Sequence, residues 1–184
     1  MVAWVLDLAN GVCGYIIRST PCWFRPLGAG PLRGPLLFRG HNMRSIRFRV
    51  ENELPPKKDG ATSMWGKPTE ARRLIALRTA ALAALGDQQP FSQEIRLALR
   101  VHVGLRNDRS SGDLDNFVTG VCDGLMAADK RSTVHPSFEE SENSTVHPAK
   151  AIAIVDDSEV TKIDAEKLSG LGKDPWYEIE LEGE

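Results

Sequence analysis

The run from Gln93 to Val103 constrains the fold more than any other stretch. Ile95, Leu97, Leu99, Val101 and Val103 alternate with Arg96, Arg100 and His102. A period of two is the signature of a strand, and one apolar side means a sheet face that something must cover. The length of the run predicts a central strand. Ser45 to Asn52 alternates in the same way, with Ile46, Phe48 and Val50 inward. Trp176 to Leu181 also alternates and reads as a closing edge strand, while the continuous apolar run Ala151 to Val155 reads as a buried strand. Between the first two lies the clearest helix, Pro68 to Leu85. Pro68 suits a first turn, Ala, Leu and Arg dominate, and Gly86 follows as a stop. Leu74, Leu77, Ala81 and Leu85 form its apolar stripe. Arg72, Arg73 and Arg78 read as a basic, solvated flank. His102 is a ligand or base on one reading and a structural histidine on the preferred one.

A second helix opens at Gly112 and is expected to run to about Ala128. Leu114, Phe117, Val118, Val121, Cys122 and Leu125 recur at helical spacing and would face a core. Asp115, Asn116, Thr119 and Asp123 fall on the other side, because residues four apart stack on a helix. Asp113 or Asp115 can serve as N-cap. One helix start thus gathers carboxylates and an amide. Such like charges repel unless a cation sits between them, and magnesium takes oxygen ligands of this kind. The bland alternative is a capped helix with solvated acids. Against it stands a second acidic pair, Asp156-Asp157, directly after the apolar run 151–155. Carboxylates at the end of a buried strand are well placed to meet a helix N-terminus.

The order Asp-Leu-Asp-Asn (113–116), Asp-Gly-Leu (123–125), an apolar run and Asp-Asp-Ser-Glu-Val (156–160) resembles the RusA family of Holliday junction resolvases. The combination is more specific than either half, and the resemblance extends from about Ser45 to Leu181. It implies an α+β domain with a mixed sheet packed against helices. It also implies a homodimer that cuts four-way DNA junctions with magnesium, or manganese in its place. Asp113, Asp115 and Asp157 match the family's catalytic, metal-binding acids. Asn116, Asp123, Asp156 and Lys167 match supporting positions. The loop Leu54 to Gly60, with its Pro-Pro-Lys, resembles a basic lip. On that reading Lys57, Lys58, Lys67, Arg106 and Arg109 contact DNA phosphates. A solvated turn is the alternative for the lysines. Trp65, in the same region, either stacks on a base or plugs the core edge, the commoner role.

One departure stands out. The family carries a Lys four residues after the second Asp, and this chain has Thr119 there. Loss of one such donor costs about a hundredfold to a thousandfold in rate. Lys150, Lys162, Lys167 and Arg109 are the candidate substitutes. Three functions follow: an active junction nuclease, a catalytically impaired junction-binding protein, or an unrelated Asp-x-Asp metal enzyme acting on nucleotides.

The length of 184 residues predicts one domain. Residues 1–42 are set apart. They carry Arg18, Arg25, Arg33 and Arg39 against Asp7, and from Pro21 to Gly40 they are rich in Gly and Pro. This segment reads as a poorly structured basic extension to a domain spanning 43–184. It is either an arm for phosphates or a dispensable tail, even sequence upstream of a start at Met43, and the tail is preferred. No basic lead-in precedes its apolar part, so a secretory signal fits poorly. The net charge of −2 counts modestly against nucleic-acid binding. Three cysteines without paired spacing point to a reducing, cytoplasmic setting, and no apolar run is long enough for a membrane. Residues 129–150 are an acidic, Ser/Thr-rich loop insertion relative to the family. Ser132-Thr133-Val134-His135-Pro136 recurs in it as Ser144-Thr145-Val146-His147-Pro148. Its two His-Pro units read as a duplicated loop rather than a metal site.

Overall fold

Strand β1 (Arg44–Glu51) is followed by helix α1 (Pro68–Leu85), strand β2 (Ile95–His102), helix α2 (Leu114–Leu125), strand β3 (Val160–Leu168) and strand β4 (Trp176–Gly183). The computed structural model describes residues 43–59, 63–104, 112–168 and 172–184. The readings placed on residues 1–42 and on Arg106 and Arg109 lie outside these residues. The strands form one mixed sheet in the order β1-β4-β2-β3, with β3 parallel to β2 and the other pairs antiparallel. At this level the expected α+β architecture is present, and β2 is interior.

The sheet has one buried face. Ile46, Phe48 and Val50 of β1, Leu97, Leu99 and Val101 of β2, and Tyr177, Ile179 and Leu181 of β4 all point into one core. Leu77, Ala81 and Leu85 of α1 and Phe117, Val121 and Leu125 of α2 close it. The period of two in β1, β2 and β4 and most of each helix stripe therefore meet in a single layer. Gly86 ends α1 at φ 58°, where its N–H reaches Leu82 O at 3.0 Å. A residue with a Cβ would be strained there.

The other sheet face carries charge ordered by strand. Arginines on β1 and β2 flank glutamates on β4, and β3 presents Asp164 and Glu166 beside β2. Arg47–Glu178 (2.6 Å) and Arg100–Glu166 (2.7 Å) are cross-strand pairs of opposite sign. Such pairs stabilise register on a face that stays wet.

Several expectations are corrected. β4 is not an edge strand: it sits between β1 and β2, and the edges are β1 and β3. The run 151–155 is buried at Ile152, Ala153 and Ile154 but is not a strand. It makes one bridge, Ile154 to Phe91, and its amides turn onto the end of α2, with Ile152 N on Leu125 O at 2.9 Å. α2 itself stops at Leu125 rather than near Ala128. Arg78 is not on a solvated flank. It is fully buried and donates to the carbonyls of Gly124, Met126, Val146, His147 and Lys150. Arg73 is half-buried on Glu53 and Glu70, while Arg72 is exposed.

Arg78 also shows that the insertion is docked. Phe138 and Val146 are buried, Trp65 meets Phe138 at 5.9 Å, and His135 N donates to Trp65 O at 2.9 Å. Trp65 is thus a core plug. The two His-Pro units repeat one local device. His135 Nδ1 accepts from Ser137 N (3.3 Å) and His147 Nδ1 from Ala149 N (3.2 Å). His102 is structural, buried with Nδ1 3.1 Å from Asp174 O and its ring stacked on Trp176.

Candidate functional site

β2, α2 and β3 form a βαβ unit, and its topology decides where each predicted residue falls. A helix joining two parallel strands starts at the far end of the first and finishes near the start of the second. Asp113 and Asp115 therefore lie where β2 and β3 end, and Asp156-Asp157 lies where β3 begins. This corrects the expectation that the acidic pair would end a strand and face a helix N-terminus. It instead flanks the later turns of α2, because residues 152–154 wrap onto Leu125 O. The carboxylate of Asp157 is felt at Cys122, seven residues and about 10 Å of helix rise beyond Asp115.

α2 is divided as its periodicity predicts. Phe117, Val121, Cys122 and Leu125 are buried, and Asp115 and Thr119 are exposed. Asp113 occupies the N-cap position, although its side chain makes no capping bond. The Thr119 hydroxyl donates to Asp115 O at 2.9 Å. It satisfies the helix backbone and leaves the exposed stripe without the cation that the family pattern places there.

The lysines arrive from elsewhere. The loop after β1 crosses α2 at Gly120, where an added Cβ would collide with Pro56 O and come within 2.8 Å of Lys57 Cα. That close approach lets Lys58 N donate to Asn116 O (3.2 Å) and sets Lys58 Nζ on Asp123 at 2.7 Å. Lys57 N donates to the buried carboxylate of Glu70 (2.8 Å), and Lys57 Nζ pairs with Asp59 (3.1 Å). From the other side, Lys167 Nζ at the end of β3 donates to Gly112 O at 3.3 Å, one residue before Asp113. Lys67 lies apart from this group, at the N-cap of α1. Lys150 is also remote, its carbonyl taken up by Arg78.

The electrostatics follow from these placements. Burial, then the charges of Asp157 and Asp123, push the Cys122 thiol up to about 11. The amide and hydroxyl of Ser158 hold the Asp156 carboxyl below the usual range. Asp113, Asp115 and Asp157 have no ion pair or side-chain hydrogen bond among the described residues, so their oxygens are open to a ligand. Among the described residues no three His, Cys, Asp or Glu side chains are grouped to hold a metal. The donor chemistry therefore fits a hard cation held by one or two carboxylates with water, and not a closed three-carboxylate cage.

The lysine contacts are long-range and were not readable as pairs. Gly120 and Gly124, four apart on one helix, were the available signal for close packing. An added Cβ at Gly124 would approach Leu77 Cδ2 to 2.8 Å. No protein-family model and no curated protein matches the chain. No helix among the described residues is long and apolar enough to cross a membrane.

Proposed function

We propose that the protein is a metal-dependent, structure-selective endodeoxyribonuclease acting on four-way DNA junctions. One observation carries this reading: the carboxylates along the exposed side of α2 are bracketed by lysines from two other elements. Asp113 and Asp115 stand at the helix start with Lys167 beside them, and Asp123 is gripped by Lys58 further along. Hydrolysis of a phosphodiester needs negative charge neutralised on the phosphoryl oxygens, and carboxylate-bound magnesium supplies that when present. Asp113 and Asp115 would hold the ion with water, while Asp157, beside the later turns of α2, stands apart from them. Among the described candidates for the absent family lysine, Lys167 lies nearest the helix start. Lys57 and Lys58, fixed in place by Glu70 and Asp123, would meet phosphates flanking the cut. Homodimerisation would supply the second site for a symmetric cut.

A second reading is favoured by the Thr119 hydroxyl bond to Asp115 O. With no cation on that turn, the protein would bind junctions and cut them slowly or not at all. Cleavage of a synthetic four-way junction with and without magnesium separates the two. For the nuclease, wild type cuts, and Asp115→Asn lowers the rate by a hundredfold or more, on the order expected for a lost charge-stabilising group. For the binder, wild type binds without cutting, and Thr119→Lys restores activity. Neither binding nor cutting in any variant would dismiss both.

A further inference from the structure

Two adjoining depressions run from the Asp123 end of the acidic stripe, between residues 63–67 and the start of the insertion. The first, of about 670 Å³, is lined by Ser63, Gly66, Lys67, Arg131, Ser132 and Thr133, with Asp129 at its edge. The second, of about 440 Å³, shares Ser63, Asp129 and Ser132 and has an apolar floor of Met126, Ala127 and Ala128 over the buried Met64 and Trp65. It ends at the Lys58–Asp123 pair. Each is within the range of small-ligand sites.

The charges at the first depression are uneven. Lys67 and Arg131 have no carboxylate partner among the described residues. Asp129 is the one acid there, and its Oδ1 accepts the Arg131 amide at 2.7 Å. Lys58 and Asp123 cancel at the far end. Three hydroxyls, Ser63, Ser132 and Thr133, stand beside the free cations. Cations with hydroxyl donors suit a phosphate, and an apolar floor next to them suits a base or sugar. A phosphate followed by an apolar group is the repeat of a nucleic-acid strand. The walls are fixed, since His135 N binds Trp65 O and Phe138 packs on Trp65.

We propose that this groove, between residues 63–67 and 126–133, holds a nucleic-acid strand, with one backbone phosphate at Lys67 and Arg131 and an adjoining nucleotide over Met126 and Ala127. The proposal deepens the nucleic-acid reading and rests on it. It assigns the first part of the insertion a role in substrate holding, separate from the carboxylates.

The test is anisotropy of a labelled oligothymidine with the full chain in EDTA, titrated over a range of salt. Lys67→Gln with Arg131→Gln is compared with wild type and with Arg47→Gln plus Arg96→Gln, which removes equal charge from the open sheet face. The groove variant is expected to bind about tenfold or more weakly. Its slope of log K against log salt should be shallower by about 1.4, two contacts at roughly 0.7 each for a single strand. The sheet-face variant should bind like wild type. Equal losses in both variants, an unchanged groove variant, or no wild-type binding would each overturn the proposal. So would displacement by a mononucleotide at concentrations where inorganic phosphate has no effect, which would make it a nucleotide pocket. Magnesium-dependent junction cutting by the same proteins distinguishes the failures. Cutting that persists beside an unaffected groove variant removes the groove alone, and strand binding without cutting removes the nuclease alone.

Discussion

Arg78 is the residue on which the insertion and both helices converge. Burial pulls its guanidinium down to about 10, so it stays protonated at neutral pH while five backbone carbonyls supply the partial charge around it. Arg78→Met should destabilise the protein by about 3 kcal/mol or more in urea unfolding, because it strands several buried carbonyls. The sequence held the clue. Arg78 is four residues from Leu74 and three from Ala81, in the middle of the buried stripe, and charge alone suggested a solvated flank. Tyr177 is the opposite case. Its hydroxyl is buried with no hydrogen-bond partner among the described residues, and desolvation holds its pKa far above the ordinary phenol value. Tyr177→Phe should be neutral or stabilising by up to about 1 kcal/mol in the same measurement. Cys122 reports on Asp157. Its thiol titrates near 11 in the folded state against an ordinary 9.0. The folded protein keeps that proton while an unfolded chain loses it, so stability is full below pH 9.0 and falls as the pH rises through 11. Alkylation of Cys122 at pH 8, followed by peptide mass, should be slow in wild type and faster in Asp157→Asn. An unchanged rate would mean that burial alone, and not the Asp157 charge, protects the thiol.

Elements were legible where the hydrophobic period alone decides them. β1, α1, β2 and α2 follow from spacings of two and of three to four, and the acids of α2 followed with them. Order in the sheet was not legible. Tyr177, Ile179 and Leu181 alternate with glutamates in the same way whether a strand is at an edge or inside. Only pairing with both β1 and β2 places β4 in the interior. The run 151–155 failed for a related reason: a short apolar run reads the same as a strand or as a buried turn. Its amides are used by Leu125 O and Phe91, not by a ladder. The lysine frame around α2 was hidden because each contact joins distant parts of the chain. Gly120 is its hinge point. Gly120→Ala should force the Pro56–Lys57 backbone off α2 and break the Lys58–Asp123 pair. We expect a loss of about 2–4 kcal/mol, in the range of overpacked core sites, and reduced junction binding in the fraction that remains folded. Gly120→Ala with wild-type stability would show that the loop does not cross the helix so closely.

At the scale of the whole molecule, the insertion closes a second core rather than hanging as an appendage. Met64, Trp65, Ala71, Leu74 and Phe138 form a buried cluster apart from the sheet's own. The first four come from the loop and helix before β2, and Phe138 comes from the insertion. Polar composition misled because a few apolar side chains and one guanidinium do the docking. Replacing residues 131–147 by a short Gly-Ser linker would uncover Trp65 and Leu74 and take two of Arg78's acceptors. Loss of Phe138 and Val146 burial is worth about 1.5–3 kcal/mol each, and a partly unsatisfied buried arginine adds about 3. Together these approach the whole stability of a typical domain, about 5–15 kcal/mol. The deletion variant should therefore fail to unfold cooperatively, with sheet signal in far-UV dichroism but no sharp thermal transition. A midpoint within a few degrees of wild type would mean that α1 and the loop before it hold together without the insertion. The groove at Lys67 and Arg131 would then be a removable addition to a self-sufficient fold.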